Sequence, residues 1–395
     1  MRHTGFSRRT ALRGAGALGL AAIGGLVTRP AVSSAAATTG GATTDVAAPR
    51  MTVNRLEPGT FAGQIFFTFR TADAGGVEIA DTAGTPVWST SGPAGYFDFQ
   101  AQTYRGRPVL TWWQGGGNPA GGGTGTGIDV LTTFDHAPVA TIGASGAFQP
   151  DIHELRLTPQ HTALITSYVA VPYDLSSVGG PADGQVLNSY CEEVDIASGQ
   201  VLHRWSALDH VPLTDSYVAA PTTADEAYDF FHINSISITP DDHLLISARH
   251  TCALYKINRS TGQVVWRLGG KSSSFAVAPD AVFGFQHHAS YETPDTIRLF
   301  DDGSDGLTTW HPSRVAWLRV ATGTMTATLA EDMSIPGNAQ SAAMGSAQRL
   351  PNGNVFVSWG SNPRLSEFSP RGDLLFDATL DSPSYRAFKY PTHLA

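Results

Sequence analysis

Four side chains in this sequence are candidates for catalysis. They are three histidines and one arginine: His153, His232, His287 and Arg249. Histidine can act as a nucleophile or move a proton near neutral pH, and the planar guanidinium group of arginine binds the oxygens of a tetrahedral anion. Together these groups suit transfer of a sulfuryl or phosphoryl group, because positive groups stabilise charge on its peripheral oxygens. A single histidine would mean little, since local hydrogen bonds satisfy most buried polar groups.

The spacing of these residues from neighbouring turns predicts that they meet. His232 and Arg249 are equidistant from the turn that follows Pro240, and such residues face each other across an antiparallel hairpin. His153 and His287 precede Thr-Pro turns of their own at similar distances. We therefore expect three histidines to enter three hairpins at the same end.

Repeated hairpins organise the chain around these residues. The first hairpin type alternates apolar and polar residues around a short turn, in residues 156–167, 237–248, 292–302 and 349–359. The second type turns near a glycine, in residues 81–88, 195–205, 257–268, 319–329 and 369–380, and a less regular copy spans 108–134. Such units must stack to bury their faces. Six four-stranded units predict an all-β, six-bladed β-propeller with a central-channel active site. A β-sandwich pair or a solenoid is the alternative, although the unit lengths vary too much for a regular solenoid.

The N-terminal segment has the composition of an export signal. Residues 1–37 combine a basic start that includes Arg8 and Arg9 with a short apolar run and a small-residue end, typical of a twin-arginine signal peptide. We expect an exported protein, secreted or held in the cell envelope, with no membrane anchor after export; an uncleaved anchor is the alternative. A linker over 38–52 and a propeller domain over 53–390 would follow.

The charge of the chain argues against one class of partner. The net charge is −9, and loss of the arginine-rich leader would make the chain more acidic, so nucleic acid is a poor partner. The oligomeric state is left open. A disulfide between Cys191 and Cys252 is also left open, because the two residues occupy similar places in successive repeats and could lie in different blades.

Metal sites are the alternative use of these residues. Three histidines could hold zinc, but an arginine beside them would repel the cation. Asp301, Asp302 and Asp305 lack the regular ligand spacing of a calcium loop. We expect no metal and no cofactor. The glycine-rich residues 115–127 are predicted to form a turn-rich crossing.

Several motifs in order resemble the arylsulfotransferase family: H-x-N-S, S-x-R-H, Q-H-x-A and F-D-D-G, within about residues 102–386. Members are secreted six-bladed propellers that move sulfate from an aryl sulfate to a phenol. The resemblance implies small aryl sulfate and phenol substrates and His287 as the nucleophile that forms a sulfohistidine. It also implies that His232 and Arg249 hold the sulfate oxygens and that His153 aids proton transfer at the phenolic oxygen.

Further residues are predicted to contact the substrate: Asn234, Gln286, His288 and Trp113. The identity of the nucleophile rests on strand parity. Counting residues from the turn places His288 on the same strand face as His153 and His232. The family motif instead selects His287. A shift of one residue in strand pairing would move His287 to that face. A β-bulge at this point would reconcile the two.

Two other functions fit the same architecture. A secreted propeller could bind an anionic or aromatic ligand, or a partner protein, without turnover. A quinone-dependent dehydrogenase would need a cofactor and a calcium site, which no motif in the sequence indicates.

Overall fold

The computed structural model describes residues 50–392. The predicted signal peptide lies outside the described residues. Strands β1 to β14 are Met51–Leu56, Gln64–Arg70, Gly75–Asp81, Pro86–Gly92, Gly95–Tyr104, Arg107–Gly117, Gly125–Thr132, Pro138–Ile142, Leu155–Leu157, Thr162–Pro172, Gln185–Asp195, Val201–Ser206, Ala227–Tyr228 and Ile233–Ile238. Strands β15 to β27 are Leu244–Ala248, Ala253–Ile257, Val264–Gly269, Ala276–Val277, His287–Thr293, Thr296–Asp301, Arg314–Ala321, Thr326–Ser334, Ser346–Arg349, Val355–Ser358, Arg364–Phe368, Leu374–Leu380 and Ala387–Tyr390. Three 3₁₀ helices lie between strands, at Ser176–Val178, Leu213–Asp215 and Pro279–Ala281.

The strands form six separate sheets, the blades of a six-bladed β-propeller. From the inside outward, the blades are β27-β2-β3-β4, β5-β6-β7-β8, β9-β10-β11-β12, β14-β15-β16-β17, β19-β20-β21-β22 and β23-β24-β25-β26. Successive strands within a blade pair antiparallel. Strands β1, β13 and β18 add to the blades at β26, β11 and β22. The predicted six-bladed fold is confirmed, and each repeated sequence hairpin is one half of a blade.

The core lies between neighbouring blades. Leu164 of the third blade packs in one buried cluster with Ile236 and Ile246 of the fourth. Leu254 of the fourth blade packs in another cluster with Leu299 of the fifth. Burying a side chain of this size contributes about 1.5 to 3 kcal/mol. Both faces of a middle strand are therefore apolar, as the sequence of β2 illustrates.

Strands from opposite ends of the chain close the ring. The last strand, β27, pairs with β2 as the inner strand of the first blade. The first strand, β1, pairs with β26 at the outer edge of the sixth blade. Both ends of the described chain thus complete blades whose other strands come from elsewhere in the sequence.

The inner strands line the central channel. These strands are β27, β5, β9, β14, β19 and β23, and neighbours among them contact one another around the channel. We call the end where these strands begin the upper end and the end where they finish the lower end.

Two further sequence features are resolved by the fold. Among the residues that the structure describes, Cys191 and Cys252 are buried free thiols. No helix within residues 50–392 is long and apolar enough to cross a bilayer.

Candidate functional site

Three histidines lie at the upper end of the channel, each at the start of an inner strand. His287 opens β19, His232 directly precedes β14, and His153 lies two residues before β9. The rings of His153 and His232 are 4.8 Å apart, edge to face. All three side chains are buried. We call these residues and Arg249 the histidine cluster.

A carboxylate faces the Nδ1 atom of every histidine in the cluster. Asp151 bonds to His153, Asp229 lies 2.5 Å from Nδ1 of His232, and Asp302 lies 3.0 Å from Nδ1 of His287. An acceptor at Nδ1 favours the tautomer that carries its proton there and leaves the lone pair on Nε2. These acids occur in the motifs D-I-H-E, D-F-F-H and F-D-D-G, but sequence analysis gave them no part in the site.

Arg249 faces the cluster from the end of the neighbouring strand. Its backbone N–H donates to the carbonyl of His232 at 2.9 Å, the pairing that the turn spacing predicts. Its guanidinium group lies 3.8 Å from the ring centre of Phe285 and 2.8 Å from Nε2 of His250. His250 is a residue that sequence analysis missed. Its other ring nitrogen lies 2.6 Å from the carbonyl of Asp229, which makes Nε2 the acceptor that fixes the guanidinium.

A network of amide hydrogen bonds fixes the backbone before His287. The side-chain nitrogen of Asn234 donates to the carbonyl of Gln286 at 2.7 Å. The side-chain nitrogen of Gln286 in turn contacts Ser247 Oγ and the carbonyls of Ala248 and Ala253. Asn234 and Gln286 are completely buried. These two predicted substrate residues therefore join the fourth and fifth blades and hold His287 in position.

The two adjacent histidines point in opposite directions. Pairing between β19 and β20 shifts register between His287 and Ser290, and His288 has a φ of 49°. Nε2 of His287 accepts the backbone N–H of Met344 at 3.2 Å, whereas His288 lines a cavity at the lower end. A bulge of the kind that would reconcile strand parity with the motif is thus present.

Burial keeps two histidines of the cluster, His232 and His287, neutral. Burial lowers the pKa of His287 well below its usual value, and the charges of Arg249 and His232 lower it further. The pKa of His232 is lowered well below its usual value by burial, followed by His153 and Arg249. Burial raises the pKa of Asp229 to about 6, against the opposing effect of His250. Neutral imidazoles beside a charged guanidinium form a site able to offer a nucleophilic nitrogen and bind an anion.

Trp113 is packed away from the cluster. Its ring is 1% exposed, its Nε1 donates to the carbonyl of Pro150 at 2.8 Å, and it packs against Phe97. A Cβ atom at Gly127 would lie 2.7 Å from this ring. Gly115, Gly125 and Gly127 thus make room for Trp113 where β6 and β7 pair. A role of Trp113 in substrate binding, as predicted, would require that packing to open.

One group in the site has the composition of a metal site: Asp229, His232 and His250. Nδ1 of His250 faces a backbone carbonyl, and its Nε2 faces Arg249. A cation bound there would lie beside a permanent positive charge. Two of the acids considered for calcium have other partners: Asp301 accepts from Gly284, Gly303 and Arg314, and Asp305 accepts from the backbone N–H groups of Leu307 and Thr308.

Comparisons with known proteins bear on this site. A profile of the arylsulfotransferase (ASST) family matches residues 100–381, more than half of the chain. The chain belongs to this family. No curated protein matches it.

Solved structures resemble this family member in fold alone. A protein of unknown function from Bacteroides caccae is 13% identical, with a TM-score of 0.50 over 83% of this chain and 99% of its own. A periplasmic gluconolactonase from Pseudomonas aeruginosa is 12% identical, with a TM-score of 0.45 over 84% of this chain and all of its own. The family match covers all four residues of the histidine cluster.

Proposed function

We propose that this protein transfers a sulfuryl group from an aryl sulfate to a phenol through a sulfohistidine at His287. The observation that carries the proposal is the meeting of three carboxylate-oriented histidines with Arg249 in a chain of the arylsulfotransferase family. Sulfuryl transfer has a loose transition state, so catalysis depends on placing the nucleophile and balancing negative charge.

In the first half-reaction, Nε2 of His287 attacks the sulfur atom of the donor. An N–S bond forms while the bond between sulfur and the aryl oxygen breaks, and the electron pair leaves with that oxygen. His153 enters this step as the imidazolium ion, balanced by Asp151 at Nδ1, and delivers its Nε2 proton to the departing phenolate, which leaves His153 neutral for the second half-reaction. Arg249 binds the sulfuryl oxygens, and it is the dependable charge because its guanidinium group keeps its proton. His232, which the family resemblance assigns to the same oxygens, directs its Nδ1 proton at Asp229 and can donate to them only when Nε2 also carries a proton.

In the second half-reaction, a phenol replaces the first product. His153 removes its proton, the phenolic oxygen attacks sulfur, and the N–S bond breaks to regenerate neutral His287. Burial raises the pKa of Asp302 well above its usual value. Positive charge on the sulfuryl-bearing ring, whose Nδ1 lies 3.0 Å away, would favour the carboxylate form of Asp302, which then balances that charge.

Access to His287 requires one hydrogen bond to be exchanged. The N–H of Met344 occupies the Nε2 lone pair, and the imidazole is 2% exposed. A sulfuryl group at this nitrogen would therefore displace Met344 from it. The same N–H could then donate to a sulfuryl oxygen, which offers a stronger, charged acceptor.

The proposal is tested with 4-nitrophenyl sulfate and a phenol. Release of nitrophenol should require the acceptor, and His287→Ala should reduce it by about a thousandfold or more. Arg249→Ala should reduce the release of nitrophenol by about a hundredfold or more, because the charge that stabilises the transition state is lost. His203→Ala, an exposed histidine on β12, is the matched control and should keep full activity.

His288→Gln distinguishes the two adjacent histidines. If His287 is the nucleophile, this variant keeps most of the activity and still forms an acid-labile sulfuryl adduct at residue 287, located by peptide mass spectrometry. An adduct at residue 288 would contradict the assignment. Hydrolysis without an acceptor would indicate a sulfatase instead.

A non-catalytic propeller is the second candidate function. The Nε2 atom of His287 already accepts a hydrogen bond from Met344. This favours the second function, because a binding protein needs no free nucleophile. Failure to release nitrophenol from any aryl sulfate, together with binding of the intact donor, would support this function over transfer.

Export through the twin-arginine route is part of the proposal. It rests on Arg8 and Arg9 in the leader. The leader fused to a folded reporter should direct export, and replacement of both arginines by lysine should stop it.

A further inference from the structure

A second opening lies at the lower end of the channel. It is a cavity of about 800 Å³, large enough for a small organic ligand. Its wall is formed by residues of the inner strands β5, β9, β14, β19, β23 and β27, by one residue of β20, and by the turns that follow β5 and β9. We call it the lower cavity.

A buried layer separates the lower cavity from the histidine cluster. Arg386 is completely buried and pairs with Asp98 and Glu154 at 2.9 and 3.0 Å. It also donates to the carbonyl of Asn234 at 2.8 Å. Glu154 lies directly before β9. It follows His153 of the cluster and is two positions before Arg156, which lines the lower cavity. An ion-paired layer inside the channel therefore makes the cavity a site of its own.

The charge on the cavity wall is positive. Arg105, Arg156 and Arg298 line the cavity, and among the described residues that line it none is acidic. This is unexpected for a chain of net charge −9. Such a wall concentrates anions, because a concave surface of one sign focuses its field.

Two of these arginines keep unused donors. The Nε atoms of Arg156 and Arg298 are buried and have no hydrogen-bond partner within residues 50–392. Arg298 is fixed by Glu292 at 2.9 Å and by Ser290 at 3.0 Å. Arg156 lies 3.8 Å from Glu154, longer than a hydrogen bond. An unpaired buried donor is costly, but both Nε atoms are shielded from solvent. The guanidinium group of Arg156, whose side chain is 31% exposed, supplies donors that an oxyanion in the cavity can reach.

Apolar and aromatic groups complete the wall. Tyr291, Phe388 and Tyr390 line it together with Leu157 and Ile238. The ring of His288 packs edge to face on Phe388, 5.4 Å between centres. Its Nδ1 accepts the N–H of Ala347 at 3.3 Å, which places the ring proton on Nε2 as a further donor.

We propose that the lower cavity binds a small organic oxyanion, a carboxylate, sulfate or phosphate on a flat apolar body, held by Arg156 and Arg298. The oxyanion accepts from the two guanidinium groups, and the body lies against the aromatic wall. This site does not depend on sulfuryl transfer, since its residues are separate from the histidine cluster.

Benzenesulfonate is the probe, because its carbon–sulfur bond makes it inert to sulfuryl transfer. Calorimetric titration of the full chain should detect binding to a site that Arg249→Gln leaves intact. Arg156→Gln should weaken binding at this site by about tenfold or more, the loss expected for one charge-assisted hydrogen bond. Arg298→Gln should weaken it similarly, and Glu292 would keep Arg349 and Trp317 as partners.

Arg204→Gln is the matched control. Its side chain is 33% exposed and pairs with a glutamate, while that of Arg156 is 31% exposed, so general loss of surface charge would affect both equally. Unfolding temperatures establish that each variant is folded. Benzyl alcohol should bind far more weakly than benzenesulfonate, and benzoate or phenyl phosphate titrations rank the headgroups.

Three results would overturn the proposal: no binding to the wild-type chain, equal affinity in Arg156→Gln and Arg204→Gln, or binding that only Arg249→Gln abolishes. The last would assign the ligand to the histidine cluster. Absence of nitrophenyl sulfate turnover in the wild-type chain, with benzenesulfonate binding retained and weakened by Arg156→Gln, would be a failure of the proposed activity and not of this site.

Discussion

At the scale of single residues, the histidine cluster depends on the acids behind the rings. Burial alone would leave each imidazole free to rotate and change tautomer. Asp151 and Asp229 bond to Nδ1 of His153 and His232, and Asp302 lies 3.0 Å from Nδ1 of His287, so the Nε2 side of each ring faces away from its acid. The groups around each ring therefore determine its role.

Asp229 sets a pH limit on the proposed activity. Its pKa is about 6 because burial raises it, so the carboxylate that orients His232 is present above pH 6 and lost below it. The lowered pKa of His287 keeps the nucleophile neutral through the same range. We expect kcat/KM for 4-nitrophenyl sulfate to be constant above about pH 7 and to fall below about pH 6.

Asp229→Asn tests this assignment. An amide cannot stabilise positive charge on the His232 ring as the carboxylate does, so we expect kcat to fall by about a hundredfold. The decline near pH 6 should also disappear from the profile of kcat/KM. A profile that keeps this decline in the variant would assign it to another group.

At the scale of strands, a charged group buried within a sheet lowers the stability of the fold. Glu78 of β3 is completely buried, and neither carboxylate oxygen has a hydrogen-bond partner among the described residues. Arg50 lies 3.4 Å away. Burial raises the pKa of Glu78 to about 7 from its usual 4.5. The unfolded chain ionises this group more readily, so the folded state loses stability as pH rises from 4.5 through 7.

Glu78→Gln removes that titration. Above pH 8 we expect the variant to be more stable than the wild-type chain by about 1 to 2 kcal/mol, a discounted value for a shift of this size. The advantage should shrink as the pH falls toward 4.5. Urea unfolding at pH 5 and pH 8.5 measures it, and equal differences at both values would contradict this account.

At the scale of the whole molecule, the ring is closed by its last strand. Residues that form β27 complete the first blade against β2, and Lys389 of this strand pairs with Glu367 of the sixth blade at 2.8 Å. Both side chains of that ion pair are fully buried. Removing one partner of a buried pair costs about 3 to 5 kcal/mol, so closure involves both packing and charge.

Truncation after Arg386 should therefore prevent a stable ring from forming. We expect loss of cooperative thermal unfolding and a tendency to aggregate, because β2 would expose an unpaired edge at the channel. A chain truncated after Tyr390 keeps β27 and should unfold like the wild type. Circular dichroism melts and size-exclusion chromatography compare the two, and a monomeric, cooperative shorter chain would disprove this role.

The sequence by itself determined the repeating unit and the convergence of residues. Strands and turns of a hairpin can be recognised from neighbouring residues alone, because side chains in a strand alternate between its two faces and glycine and proline mark the turns. Counting the hairpins predicted six blades. Counting from the turn predicted that His232 and Arg249 pair, because equidistance from a turn fixes antiparallel register.

Only the tertiary structure decided what surrounds each side chain. Trp113 resembles a stacking residue in the sequence, but glycines and Pro150 enclose it. Asn234 and Gln286 resemble ligand residues, but they join two blades. Neighbours such as His250, Met344 and Arg386 reach the channel from other parts of the chain, and the distances that make them neighbours arise when six blades close into a ring. Local spacing cannot encode such contacts, because they depend on packing between blades.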